Sequence, residues 1–182
     1  MAMTIEEARR IFLSFVDSDS LRRHCRSVEI VMKAYAAAMD QDQEQWAITG
    51  LLHDADYEKY PDQHPDITVK LMVESGEPLI AHAISAHHTR WGKSYDSLLD
   101  SYLLAVDELT GFIIAVSLMR PTRIVGLTPS SVVKKLKTKG FAAAVDRDEI
   151  ENGIRIAGLD RDTHIQFIID ALTTHKEELD LV

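Results

Sequence analysis

His24, His53, Asp54 and Asp107 are residue types that bind divalent metals, and the pattern around each turns its side chain inward. His24, Val28, Val31 and Tyr35 recur at three- and four-residue intervals, which places them on one face of a helix. His53 and Asp54 end an apolar segment that carries Ile48, Leu51 and Leu52. Asp107 lies within Leu103-Leu-Ala-Val-Asp-Glu-Leu-Thr-Gly111, and its helical neighbours Leu103, Gly111 and Ile114 direct it at the core. A buried carboxylate is costly unless it is paired or binds a metal. Any one of the four alone reads as a hydrogen-bonded core residue or a helix cap. Two inward carboxylates and two inward imidazoles that meet in one core read as a divalent-metal site.

The elements that must position them are helices, because strand-like alternation is scarce throughout. Thr4 caps a first helix, with Glu6 and Glu7 in its first turn, that runs to about Val16. A second is expected from about Leu21 to Met39, and a third from about Gln43 to the His53–Asp54 doublet. Pro61 and Pro65 mark Tyr57 to Pro65 as a loop. Further helices are expected at about Asp66–Glu74, Pro78–His88, Leu98–Met119, Pro129–Lys137, Asp146–Ala157 and Asp160–Glu178. Pro129 suits a first helical position, where its missing N–H costs nothing. The expectation is an all-α fold: one compact helical domain over 1–182, with core motifs at about 21–120 and a C-terminal helical extension at about 121–182.

A formal net charge of -9 argues against a surface that coats nucleic acid. Between Arg120 and Gly140 the sign reverses: Arg120, Arg123, Lys134, Lys135, Lys137 and Lys139 stand there without an acid. Such a segment is either a solvated helix face or a holder of a small anion. The single cysteine, Cys25, excludes an internal disulfide and fits a reducing compartment. Met1 to Phe15 mixes acids and arginines on an amphipathic pattern unlike a signal peptide, and no apolar run approaches the roughly 20 residues that span a bilayer. No membrane association is expected, and the expected location is cytoplasmic. The sequence is silent on oligomeric state; Trp46 and Trp91 read as core residues or as interface anchors.

The order His24 … His53-Asp54 … Asp107, with the doublet set in Gly50-Leu-Leu-His-Asp-Ala-Asp56, resembles the HD superfamily of metal-dependent phosphohydrolases. His64-Pro65-Asp66-Ile67 is similar to the His-Pro motif of its two-metal members, and His87–His88 to their paired histidines. Asp56-Tyr-Glu-Lys-Tyr-Pro-Asp62 and Asp107-Glu-Leu-Thr-Gly111 resemble a small bacterial branch of predicted HD hydrolases, a likeness that runs from about Leu21 to Asp170. The resemblance implies that His24, His53, Asp54 and Asp107 hold a first metal. Asp54 would then bridge to a second metal completed by His64 and one or both of His87 and His88. Adjacent helical residues point about 100° apart, so both ligate only at a helix end or distortion. Counting from apolar Ile80 favours His88. His82 has no ligand role in the family pattern, and His164 and His175 read as core or surface residues. Tyr57 stands where many relatives have lysine, and Thr89-Arg-Trp-Gly-Lys93 replaces the Gly-Tyr-Pro signature of the cyclic-dinucleotide-cleaving subgroup.

The implied activity is hydrolysis of a nucleotide or other small phosphoester by a metal-activated water. One or two divalent ions are implied, among which Fe, Mn, Ni, Co, Zn and Mg are not distinguished. Asp54 or Glu58 would handle the proton, and Arg120, Arg123, Lys135, Lys137 and Lys139 offer an anion clamp. Two other readings use the same residues: a di-iron oxygenase of HD type, and a non-catalytic helical binding domain with a polar core.

Overall fold

A computed structural model describes residues 2–182. Nine α-helices and no strand occur among the described residues. They are α1 (Ile5–Phe15), α2 (Asp19–Ala38), α3 (Gln43–Leu52), α4 (Asp66–Glu74), α5 (Pro78–Ser85), α6 (Leu98–Leu118), α7 (Pro129–Leu136), α8 (Arg147–Ala157) and α9 (Arg161–Thr174). Short 3-10 turns at Pro61–Gln63 and Thr89–Trp91 interrupt the loops on either side of α4 and α5.

Local chemistry sets most of these boundaries. Thr4 accepts from the Glu7 N–H while the Glu7 side chain accepts from the Thr4 N–H, which closes a capping box on α1. Ser97 and Asp100 do the same for α6, and Ser18, Asp42, Thr128, Asp146 and Asp160 cap α2, α3, α7, α8 and α9. Two expected helices end early. The α5 helix stops at Ser85 instead of continuing to His88, and α9 stops at Thr174 instead of Glu178.

The α6 helix is the axis of the molecule. Leu103, Val106, Leu109, Phe112 and Ile113 along it are fully buried in one apolar cluster with Val28 and Val31 of α2. Ile150, Ile165, Ile168, Leu172 and Leu181 join the same cluster, so residues after 121 share their core with α2 and α6. A second cluster joins α1, the start of α2, α3, α4 and α5 around Phe12, Cys25, Leu52, Met72 and Ile84. By length and composition alone α6 is apolar enough to cross a membrane, which the sequence reading did not anticipate; 78% of its most apolar window is buried against the other helices.

Two glycines determine how closely the helices approach. A Cβ at Gly50 would lie 2.9 Å from backbone atoms of Val28 and Glu29, so α3 rests directly on the backbone of α2. One turn before Val28 is His24, and one turn after Gly50 is His53. The close crossing therefore brings the two imidazoles together edge-on, 5.1 Å between ring centres. At Gly153 a Cβ would meet the Ala105 Cα at 2.7 Å, which seats α8 on α6 just before Asp107. His164 has an ordinary structural role: its Nε2–H donates to the Ala105 carbonyl at 2.9 Å and its Nδ1 accepts from the Tyr35 hydroxyl at 2.6 Å.

Candidate metal centre

Three elements deliver four side chains to one point. His24 comes from α2, His53 and Asp54 from the end of α3, and Asp107 from the middle of α6. His24 Nε2 lies 3.0 Å from Asp107 Oδ1 and 3.2 Å from His53 Nε2, and His53 Nε2 lies 3.2 Å from the same Asp107 oxygen. Asp54 Oδ2 completes the group at 3.5 Å from His53 Nε2 and 3.7 Å from His24 Nε2. Its other oxygen faces a second group: Oδ1 is 3.3 Å from His64 Nε2 and 3.4 Å from His87 Nε2. These are the two sets of residues whose donor atoms converge closely enough to share an ion.

The far side of each ring decides what its near side can do. His53 Nδ1 donates to the Gly50 carbonyl at 2.8 Å, and His87 Nδ1 donates to the Ile84 carbonyl at 2.5 Å. His64 Nδ1 faces Asp56 Oδ1 at 2.7 Å. Each of these bonds keeps a proton on Nδ1 and leaves Nε2 as the nitrogen that can bind a metal. Three Nε2 atoms therefore point at carboxylate oxygens. A proton on Nε2, as the metal-free protein holds on His53, or a metal ion between them satisfies that arrangement. The spacings suit the ion, since ligands held at about 2.1 Å from a common ion sit roughly 3.0–3.4 Å apart. The residues fit the metal the site implies.

Asp56 supports this arrangement and was not singled out from the sequence. Fully buried, it receives His64 Nδ1 on one oxygen and the Thr68 N–H, at 2.9 Å, on the other. Gly111 is a second such residue: a Cβ there would lie in ordinary contact with His24 Nδ1 at 3.5 Å, so α6 passes directly against the imidazole. Glu108 is a third. Burial and the adjacent Asp107 charge push its carboxyl up to about 8, and it accepts the Asp146 N–H at 3.2 Å.

Several expected roles fall elsewhere. The preference for His88 is corrected, because His87 is the neighbour of Asp54 while His88 turns its Nδ1 to Glu149 at 3.2 Å. Both residues lie beyond the end of α5, so helical counting from Ile80 does not govern them. Glu58 is exposed and accepts the N–H groups of Asp17 and Ser18 ahead of α2, which ties it to a turn outside the cluster. Arg120 and Arg123 donate to the carbonyls of Arg123 and Leu118, capping the end of α6. That end is roughly 17 Å along the helix from Asp107. Lys135, Lys137 and Lys139 are exposed, with Lys135 over the Phe141 ring. The structure does not bring this basic segment to the metal ligands. His82 pairs with Asp100 at 3.2 Å, and His175 pairs with Glu178 at 2.8 Å.

On the open side, the side chains of His24 and Asp54 are 21% and 18% exposed and give solvent access to the centre. Tyr57, half exposed, meets His64 edge-on at 5.4 Å between ring centres. Trp91 covers the other flank, 4.7 Å from His87 and 5.6 Å from His64, with the Arg90 guanidinium 5.0 Å from its ring centre.

The protonation of the metal-free protein yields a stability prediction. Burial alone lowers the pKa of His53, but the charges of Asp54 and Asp107 outweigh it and raise the imidazole to about 10. That contribution is fully present below the unfolded value of about 6.5 and is lost as pH rises toward 10. Asp107 is displaced the other way: burial raises it, and His53 and His24 hold it well below its ordinary range. Its contribution is present above about 3.8 and is lost as the solution is acidified further. Thermal melting of metal-stripped protein should therefore be highest between about pH 4 and 6.5 and should fall steadily to pH 10. A melting point that does not change between pH 6.5 and 10 would refute a charged His53.

A family profile described as HD domain matches residues 21–117. That span begins at α2 and ends at α6, and it contains all six residues of the two ligand groups. Comparison with curated proteins found no match, and comparison with solved structures found none.

Proposed function

Because the chain belongs to the HD-domain family, we propose that it is a metal-dependent phosphohydrolase acting on a nucleotide or other small phosphoester. The observation that carries this reading is the division of Asp54, whose two oxygens face two separate groups of imidazole Nε2 atoms. A carboxylate so placed suits two cations. His24, His53, Asp54 and Asp107 would hold one, and Asp54, His64 and His87 the other. When bound, such ions lower the pKa of water toward neutrality and offset charge on a phosphoryl group.

The chain's own contribution is arrangement. His53 and His87 are fixed by backbone carbonyls and His64 by a buried carboxylate, so little reorganisation is needed when a substrate arrives. Bulk water is limited on the protein side, because His53 and Asp56 are fully buried and His87 nearly so. The partly exposed edges of Asp54 and His24 leave one face open to a small phosphoester. Arg90, exposed beside Trp91, takes over the anion-contact role expected of the distant basic segment.

The test is elemental analysis of protein purified without added metal, followed by a phosphoester panel with the metal found. One or two ions per chain and metal-dependent phosphate release are expected. Failure to take up any ion, even after reloading with Mn, Fe, Co, Ni or Zn, overturns the metal reading. Turnover that consumes dioxygen, requires iron and releases no phosphate replaces hydrolysis with oxygenase chemistry on the same ligands.

A further inference from the structure

We propose that Glu149, contributed by α8 from beyond the family-matched segment, is the positioning residue of the second cation subsite. The inference rests on the reading of Asp54, His64 and His87 as ligands. Because α5 ends at Ser85, the histidine that faces Asp54 sits in the chain leaving that helix, where no helical ladder fixes it. Its local restraints both end on one atom, the Ile84 carbonyl, which takes its Nδ1–H at 2.5 Å and its backbone N–H at 3.5 Å. The next residues are held from a distance of 60 positions: Glu149 Oε2 accepts the Thr89 N–H at 2.8 Å, and Oε1 accepts the Thr89 hydroxyl. Glu149 Oε2 also lies 3.2 Å from His88 Nδ1, and Oε1 accepts from Asn152 at 3.2 Å.

This carboxylate is 4% exposed, and its four contacts account for both oxygens. An acid is buried at such cost only where its bonds are needed. Those bonds fix the backbone and the hydroxyl at residue 89, and the Arg90 N–H donates to His88 Nδ1 at 3.2 Å, which leaves the preceding Cα little freedom. The same turn carries Trp91 onto His87 and His64. The α8 helix is in turn registered on α6 by the Gly153–Ala105 approach, and α6 carries Asp107. One continuous path therefore runs from a first-cluster ligand through α6, α8 and Glu149 to His87.

A tie that merely stabilised the fold would affect both cation subsites alike. A positioning role affects the second alone. The experiment is titration of metal-stripped full-length protein with Mn²⁺, read by calorimetry and by Trp91 fluorescence, for wild type, Glu149→Ala, Glu149→Gln and Thr89→Val. Wild type should bind two ions, the second changing the Trp91 emission. Glu149→Ala should weaken the second ion about 10- to 100-fold, as losses of outer carboxylate partners do, and leave the first within about twofold. Glu149→Gln, which keeps one acceptor for the Thr89 N–H, should recover part of that loss. Should Glu149→Ala fail to fold, Thr89→Val decides, because it removes one hydroxyl and must still weaken the second ion selectively. Equal weakening of both ions, or unchanged binding of the second, overturns the inference. A wild type that takes up only one ion overturns the two-cluster reading beneath it.

Discussion

Asp54→Ala is expected to abolish uptake of both ions and to lower phosphoester hydrolysis by at least about 10³-fold, which corresponds to roughly 4 kcal/mol of barrier. The size follows from the position of this side chain. Its Oδ2 belongs to the group of His24, His53 and Asp107, and its Oδ1 to the group of His64 and His87. Loss of any imidazole leaves the other group intact, whereas loss of this carboxylate strips both. It also removes one of the two negative charges that hold the His53 proton in the metal-free state. Asp107 remains 3.2 Å from His53 as its counter-charge, so folding should survive while binding does not. The measurement is metal content by elemental analysis beside helical content by far-UV circular dichroism. Retention of near-stoichiometric metal in a folded Asp54→Ala protein would show that the carboxylate does not bridge.

How much of this site the sequence disclosed depended on how local its causes are. His24 was legible because Val28, Val31 and Tyr35 continue its face, and all three are buried in the structure. Asp107 was legible because no solvated neighbour accompanies it on the inner face of α6. Helix starts were legible from Thr4 and Pro129, whose side chain and ring act within one turn. The end of α5 was not. Ile84-Ser-Ala-His-His-Thr89 contains no glycine or proline, so periodicity ran on, and the contacts that hold the departing chain come from Glu149 far along the sequence. The choice between His87 and His88 failed for that reason. Charge runs misled for a related one: Arg120 and Arg123 are used up on nearby carbonyls, which no count of cations reveals. Asp56 carried a signal that went unused, an acid two residues after the doublet and eight before a His-Pro pair.

That unused residue leads to the second large effect. Asp56→Ala is expected to weaken the ion held by Asp54, His64 and His87 by about 10- to 100-fold, with activity falling in proportion, while the first ion binds as before. Asp56 touches no ion; it acts through His64. With the carboxylate in place, the proton sits on Nδ1 and the Nε2 lone pair faces Asp54 at 3.3 Å. Without it, the imidazole is free to rotate or to move its proton to Nε2, where a metal cannot bind. Alanine also leaves the buried Thr68 N–H without its acceptor, which costs about 1–3 kcal/mol of stability and lowers the melting point. Asp56→Asn separates the two effects. Its amide oxygen serves one donor, either Thr68 N–H or His64 Nδ1–H, but not both on two oxygens as the carboxylate does. If the amide oxygen faces Thr68, stability returns and the amide nitrogen faces His64, reversing its tautomer and keeping the second ion weak. A pH titration of Mn²⁺ binding reads the difference: Asp56→Asn should stay selectively weak in the second ion even where its melting point matches wild type. Recovery of second-ion affinity together with stability would show that Asp56 only supports the fold, and that the orientation of His64 is set by other groups.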